Sequence, residues 1–172
     1  MTGSKFTEFV QIVKRLRKEC PWDREQTNDS LKSNTIEEAY EVVEAIDNKD
    51  FGELKKELGD LLLHVVFHTQ IAEEDNYFNI DDVIDSIQEK LIRRHPHVFG
   101  DVELDGVDGG LANWEKLKEK ERKDAGQNEK GLLDGVPMAL PALSQAQEYQ
   151  DRAARVRFDW PEIEGVLDKI KE

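Results

Sequence analysis

Between positions 54 and 71, Leu54, Leu58, Leu61, Leu62, Leu63, Val65, Val66, Phe67 and Ile71 cover most of a helix's circumference at about 100° per residue. A helix apolar on so many sides must be largely buried, so it requires other helices around it. The chain supplies them. Phe6, Phe9, Val10, Ile12, Val13 and Leu16 recur at three- and four-residue spacing and predict a first amphipathic helix. Cys20-Pro21-Trp22-Asp23 breaks it, because proline disfavours a helical residue before it. Thr27, Asn28, Asp29 and Ser30 offer N-caps for a second helix running to about Asp47. After the polar turn Asn48-Lys49-Asp50, a third helix is expected from about Phe51 to Glu74, and a fourth from about Ile80 to Arg94, stopping before Pro96. Short connections favour antiparallel neighbours, so the expected fold is an all-α antiparallel helical bundle.

Beyond this the pattern changes. His95 to Gly110 contains four glycines with alternating apolar residues, which predicts a loop carrying a small hairpin. A further helix is expected over about 111–123, and the polar stretch 124–137 reads as a linker. Residues 140–155 and 161–172 read as helical again. In a chain of 172 residues this suggests one domain over 1–123, a linker over 124–137 and a helical segment over 138–172.

Charge narrows the class of partner. The formal net charge is −14, from 38 acidic against 24 basic residues. That argues against nucleic acid, whose phosphate backbone needs Lys and Arg to neutralise it. A small phosphorylated ligand is compatible, since bound cations reverse the local field. Cys20 is the lone cysteine, so no internal disulfide can form, which fits a reducing cytosol. The polar N-terminus carries no apolar secretion signal. The longest apolar run, Leu61 to Phe67, is interrupted by His64 and is too short to span a bilayer. A soluble, cytoplasmic protein with no membrane partner is expected.

The informative residues are acids inside these apolar patterns. On the second helix Glu38 falls within the edge of the arc formed by Ile36, Ala39, Tyr40, Val42, Val43 and Ile46, and Glu41 lies one turn further on. On the third, Asp60 shares a face with Phe67 and Ile71, and Glu57 precedes it by one turn. A single such pair is ordinarily a solvated helix face, and Lys55 and Lys56 can neutralise acids locally. Two i, i+3 pairs on consecutive helices are harder to dismiss, because ionised carboxylates among apolar residues must be paired or bind a cation. Hard oxygen ligands suit Mg²⁺, Mn²⁺ or Ca²⁺. A di-iron bundle would need Glu-x-x-His pairs, but Leu61, Val65, Ile92 and Arg94 stand three residues before the four histidines.

Here the sequence resembles the MazG family of all-α nucleoside triphosphate pyrophosphohydrolases. The family pattern, Glu-Glu-x-x-Glu followed one helix later by Glu-x-x-Asp, stands as Glu37-Glu38-Ala39-Tyr40-Glu41 and Glu57-Leu58-Gly59-Asp60. Cys20 to Thr27, Gly59 to Leu62 and Arg93 to Phe99 also look like MazG segments, and the likeness covers about residues 5–123. It implies a bundle that dimerises tightly, Mg²⁺ (with Mn²⁺ as a substitute) on Glu38, Glu41, Glu57 and Asp60, and Glu37 as a helper behind them. The implied reaction is hydrolysis of a nucleoside triphosphate between the α- and β-phosphates, giving monophosphate and pyrophosphate.

Substrate contacts are less sharply marked. Lys90, Arg93 and Arg94 have the chemistry to hold phosphates, or simply complement a helix C-terminus. Trp22 reads either as a base-stacking ring or as a core tryptophan beside a turn, and His64 as a pocket residue or a satisfied core histidine. Residues 140–172 echo the N-terminal segment, as in two-copy MazG proteins, which suggests the start of a second copy. Asn34 and Glu53 stand one turn before the acid pairs where a lysine would pair with phosphate. A weakly active or non-catalytic dimerisation and nucleotide-binding module is therefore the alternative.

Overall fold

The computed structural model describes residues 2–101, 131–160 and 162–171. Among them every regular element is a helix. These are α1 (Thr2–Glu19), α2 (Pro21–Glu25), α3 (Lys32–Asp47), α4 (Phe51–Glu74), α5 (Ile80–Arg94), α6 (Pro96–Phe99), α7 (Ala142–Arg155) and α8 (Ile163–Lys171). No described helix is long and apolar enough to cross a membrane. The chain divides after Arg93 into two compact units.

In the first unit α4 is the shared wall: α3 packs along it, and α1 packs on both α4 and α2. Val10, Val13, Leu31, Val66, Phe67 and Ile71 form the buried core, with Phe6, Phe9, Leu63 and Ile80 against it. Each fully buried side chain of this kind contributes roughly 1.5–3 kcal/mol. Arg17 pins the surrounding pieces together. Its guanidinium meets Glu74 Oε2 at 2.5 Å, donates to the carbonyls of Asp23 and Gln26, and lies 5.6 Å over the Phe67 ring.

Local chemistry sets the helix boundaries. Asp50 accepts from Gly52 N at 2.9 Å and Glu53 N at 3.0 Å, starting α4 where its sequence predicts. Asn79 and Asp82 cap α5 reciprocally. The caps foreseen for α3 act elsewhere. Thr27 and Ser30 hydrogen-bond each other's backbone N–H, closing a separate turn, and α3 starts only at Lys32. Between α3 and α4, Lys49 takes φ 54° while Asp50 N reaches back to Ala45 O, a left-handed helix stop built without glycine.

The expectation that α4 is buried on most sides holds in one chain only for its C-terminal part. Val66 to Ala72 are buried or half-buried all round, but earlier in the helix Leu58, Leu62 and Val65 stay open, as do Ile36, Tyr40 and Val43 on α3. Trp22, also read as a core residue, is 62% exposed. The segment after α5 is helical over Pro96–Phe99. The predicted hairpin, the helix over 111–123 and the linker as far as residue 130 lie outside the described residues.

The second unit includes α7 and α8. Arg152 donates to Asp134 O at 2.7 Å and to Glu148 at 2.8 Å, tying the turn around buried Val136 to α7. The Trp160 ring sits against α8 at Gly165, where a β-carbon would overlap it.

Candidate metal centre

Glu38 and Glu41 are one turn apart on α3, and Glu57 and Asp60 are one turn apart on α4. The two helices lie side by side, joined by the tight turn at residues 48–50, which brings the pairs to the same level. One carboxylate oxygen from each of Glu38, Glu41 and Glu57 lies within 4.8 Å of the other two. Asp60 stands outside this trio, yet its charge acts on Glu38 and on His64. Glu37 is exposed and adds a smaller repulsion to Glu38.

The electrostatics are those of crowded acids. Glu57 is only 9% exposed. Burial, then hydrogen bonding with the Glu53 and Glu41 carboxyls, pushes it up to about 7. Burial, followed by the charges of Glu41 and Asp60, raises Glu38 above its ordinary value. Glu53 is held in the opposite direction by Lys56, which donates to it at 2.5 Å. The cluster thus retains a proton near neutral pH where a cation of higher charge would serve better. Three oxygen donors from consecutive helices, with no sulfur among them, fit a hard divalent ion such as Mg²⁺ or Mn²⁺. Beside the trio opens an acid-lined cleft of about 200 Å³ that includes Glu44, Asp50 and Glu53. Its sign repels a bare phosphate and suits one that arrives with cations.

His64 borders the cluster. It is buried, and its Nε2 lies 3.9 Å from Glu38 Oε1. Its Nδ1 lies 3.1 Å from Thr35 Oγ1, which also sits 2.8 Å from His68 Nε2. His68 Nδ1 in turn lies 2.7 Å from Asn28 Oδ1. Burial pushes both imidazoles below their ordinary range, opposed at His64 by the Asp60 charge and reinforced at His68 by His64.

The other predicted contacts are not gathered here. Lys90 and Arg93 are exposed on α5. Among the described residues α5 meets the core through Ile80 at its start, and no α5 Cα lies within 8 Å of one in α3 or α4. Arg94 is half-buried at the helix end. Trp22 presents its ring to solvent. Sequence reasoning missed Thr35, His68 and Asn28. The available signal was spacing: Glu57, Asp60, His64 and His68 continue one stripe along α4, and Thr35 lies one turn before Glu38.

Residues 26–99 match the family model described as the MazG nucleotide pyrophosphohydrolase domain. Over 172 residues the chain is 47% identical to the "Nucleoside triphosphate pyrophosphohydrolase/pyrophosphatase MazG" of Thermotoga maritima, covering 99% of this chain and 65% of that protein. It is 44% identical to the "Nucleoside triphosphate pyrophosphohydrolase" of Escherichia coli K12, covering 98% of this chain and 65% of the relative. It therefore spans just under two thirds of the length of these relatives. The fold is similar to that in the crystal structure of a mazG-related protein from Thermotoga maritima, with a TM-score of 0.58 at 24% identity. That match covers 66% of this chain and 98% of the other.

Proposed function

The chain belongs to the MazG family, and from that premise we propose that it hydrolyses nucleoside triphosphates to monophosphate and pyrophosphate. The observation that carries this reading is the meeting of Glu38, Glu41 and Glu57 from two helices within 4.8 Å. We assign Mg²⁺, or Mn²⁺ in its place, to these three with Asp60, and Glu37 to support them from outside. Bound there, the cation supplies charge neutralisation for the phosphates and a more acidic water. The protein's part is to release the Glu57 proton, to hold the carboxylates in register across α3 and α4, and to border the site with His64. No side-chain nucleophile is required.

We assign the substrate's base to the exposed Trp22 ring and its phosphates to Lys90, Arg93 and Arg94. In one chain no α5 Cα lies within 8 Å of α3 or α4, so Lys90 and Arg93 would reach the phosphates through their long side chains or from a second copy. The open stripes Ile36/Tyr40/Val43 and Leu58/Leu62/Val65 support a homodimer, or a higher assembly, that covers them. The proposed compartment is the cytoplasm, where nucleoside triphosphates and Mg²⁺ occur together.

One observation favours the quieter alternative. Asn34 and Glu53 stand where a phosphate-pairing lysine would sit, and Glu53 is engaged with Lys56. The deciding experiment is pyrophosphate release from a panel of ribo- and deoxyribonucleoside triphosphates, with Mg²⁺ and with EDTA. Metal-dependent release of both products is expected. A folded, Mg²⁺-binding protein with no turnover on any substrate would make this a binding and dimerisation module.

A further inference from the structure

Asn28, His68, Thr35 and His64 form one continuous line of polar contacts ending at Glu38. Each has a limited supply of protons, and counting them fixes the direction of the line. The Asn28 Oδ1 oxygen accepts only, so His68 must donate from Nδ1 across 2.7 Å. A neutral ring then has a bare Nε2, which takes the single Thr35 hydroxyl proton across 2.8 Å. With that proton committed, Thr35 can only accept from His64 Nδ1 at 3.1 Å. Turning the hydroxyl to the Leu31 carbonyl at 3.0 Å instead leaves His64 the donor still.

His64 therefore carries its hydrogen on Nδ1 and presents a lone pair at Nε2. That lone pair faces Glu38 Oε1 at 3.9 Å, beyond direct hydrogen-bond distance. Two acceptors at that separation suit a water molecule donating to both. We propose that Thr35 and His68 are positioning residues that fix His64 in its Nδ1–H form, so that Nε2 accepts a hydrogen bond from water bound at the carboxylate cluster. The catalytic purpose of this arrangement rests on the phosphohydrolase reading above; the tautomer itself does not.

The test is a long-range ¹H–¹⁵N correlation spectrum of the histidine rings in the 172-residue chain at pH 8, above the ordinary histidine range. His64 is expected with a protonated Nδ1 and an unprotonated Nε2. Thr35→Val should release it toward the Nε2–H form and Thr35→Ser should restore it. Asn28→Asp, which can only accept, should leave it unchanged. In turnover, Thr35→Val should lower kcat about tenfold with KM within about twofold, in the range for an outer-shell partner. An Nε2–H or doubly protonated His64 in the unaltered protein overturns the proposal, as does a spectrum indifferent to Thr35→Val. Should that variant not fold, the unaltered spectrum decides alone. Absence of turnover in the unaltered protein would sink the proposed activity but leave the spectrum to decide the positioning.

Discussion

Glu41 on α3 and Glu57 on α4 face each other across the helical hairpin, with a carboxylate oxygen of each inside one 4.8 Å group and hydrogen bonding between them. Two acids so placed cannot both ionise cheaply, because like charges at this range repel and the buried partner lacks water to disperse its charge. Covered Glu57 keeps the proton, and exposed Glu41 faces solvent.

The stability of the metal-free protein should therefore depend on pH in an unusual direction. Glu57 ionises near 4.5 when unfolded and near 7 when folded, so between those values the folded state holds the extra proton. Stability is then fully present below 4.5 and falls as pH rises through 7. In EDTA, Tm should drop across that window; with Mg²⁺ it should rise instead, as the cation replaces the proton. Glu57→Gln should flatten the EDTA curve and remove the Mg²⁺ response. An EDTA curve rising from pH 5 to 8 would refute this account.

The acids should also be separable by their place in the site. Glu41→Gln removes a member of the trio and should lower pyrophosphate release about a hundredfold or more, with helicity by circular dichroism unchanged. It should also weaken Mg²⁺ binding without nucleotide. Asp60→Asn should impair turnover comparably but disturb nucleotide-free Mg²⁺ binding less, since Asp60 lies outside the trio. Titration calorimetry with Mg²⁺ alone, beside the turnover assay, distinguishes them.

Arg17 offers a prediction about the fold rather than the chemistry. Its guanidinium is 8% exposed and holds Glu74 together with two backbone carbonyls. Arg17→Met should cost about 2 kcal/mol in urea denaturation, below the usual range for a broken buried pair because Glu74 remains partly solvated. Arg17→Lys should not restore the loss, as an ammonium lacks the planar fork that reaches all three partners. Arg17 holds Glu74 below the ordinary carboxylate range. This contact is therefore intact at neutral pH and is lost only as acid protonates Glu74.

What could be read in advance followed from local physics. The bounds of α4 were legible because Asp50 is a strong N-cap and the apolar pattern continues to Ile71. The start of α3 was misplaced because Thr27 and Ser30 satisfy each other in a turn of their own. Acid pairs at i, i+3 could be placed on one helix face, and the short turn at 48–50 made their approach plausible. The Asn28–His68–Thr35–His64 line was not legible. It joins α3, α4 and the turn before α3, and only the rotation of the packed helices decides which polar groups meet. The apolar stripes were visible too, but periodicity shows that a face needs covering without showing what covers it.

Those stripes yield the last prediction. Leu58, Leu62 and Val65 are 50%, 42% and 43% exposed, and Ile36, Tyr40 and Val43 are 50%, 54% and 51% exposed on the neighbouring helix. Both sets have i, i+4, i+7 spacing, so each forms a ridge along its helix, and the pair resembles half of a helical bundle. If a second copy covers this face, Leu62→Lys should place a charge in a dry interface and yield monomer at micromolar concentration in sedimentation equilibrium. The side chain already reaches solvent in one chain, so the monomer's own helicity should survive. Lys5→Glu, on an exposed position of α1, is the charge-changing control and should leave the assembly intact. An unaltered protein that sediments as a monomer at high micromolar concentration would show that the face serves some other partner.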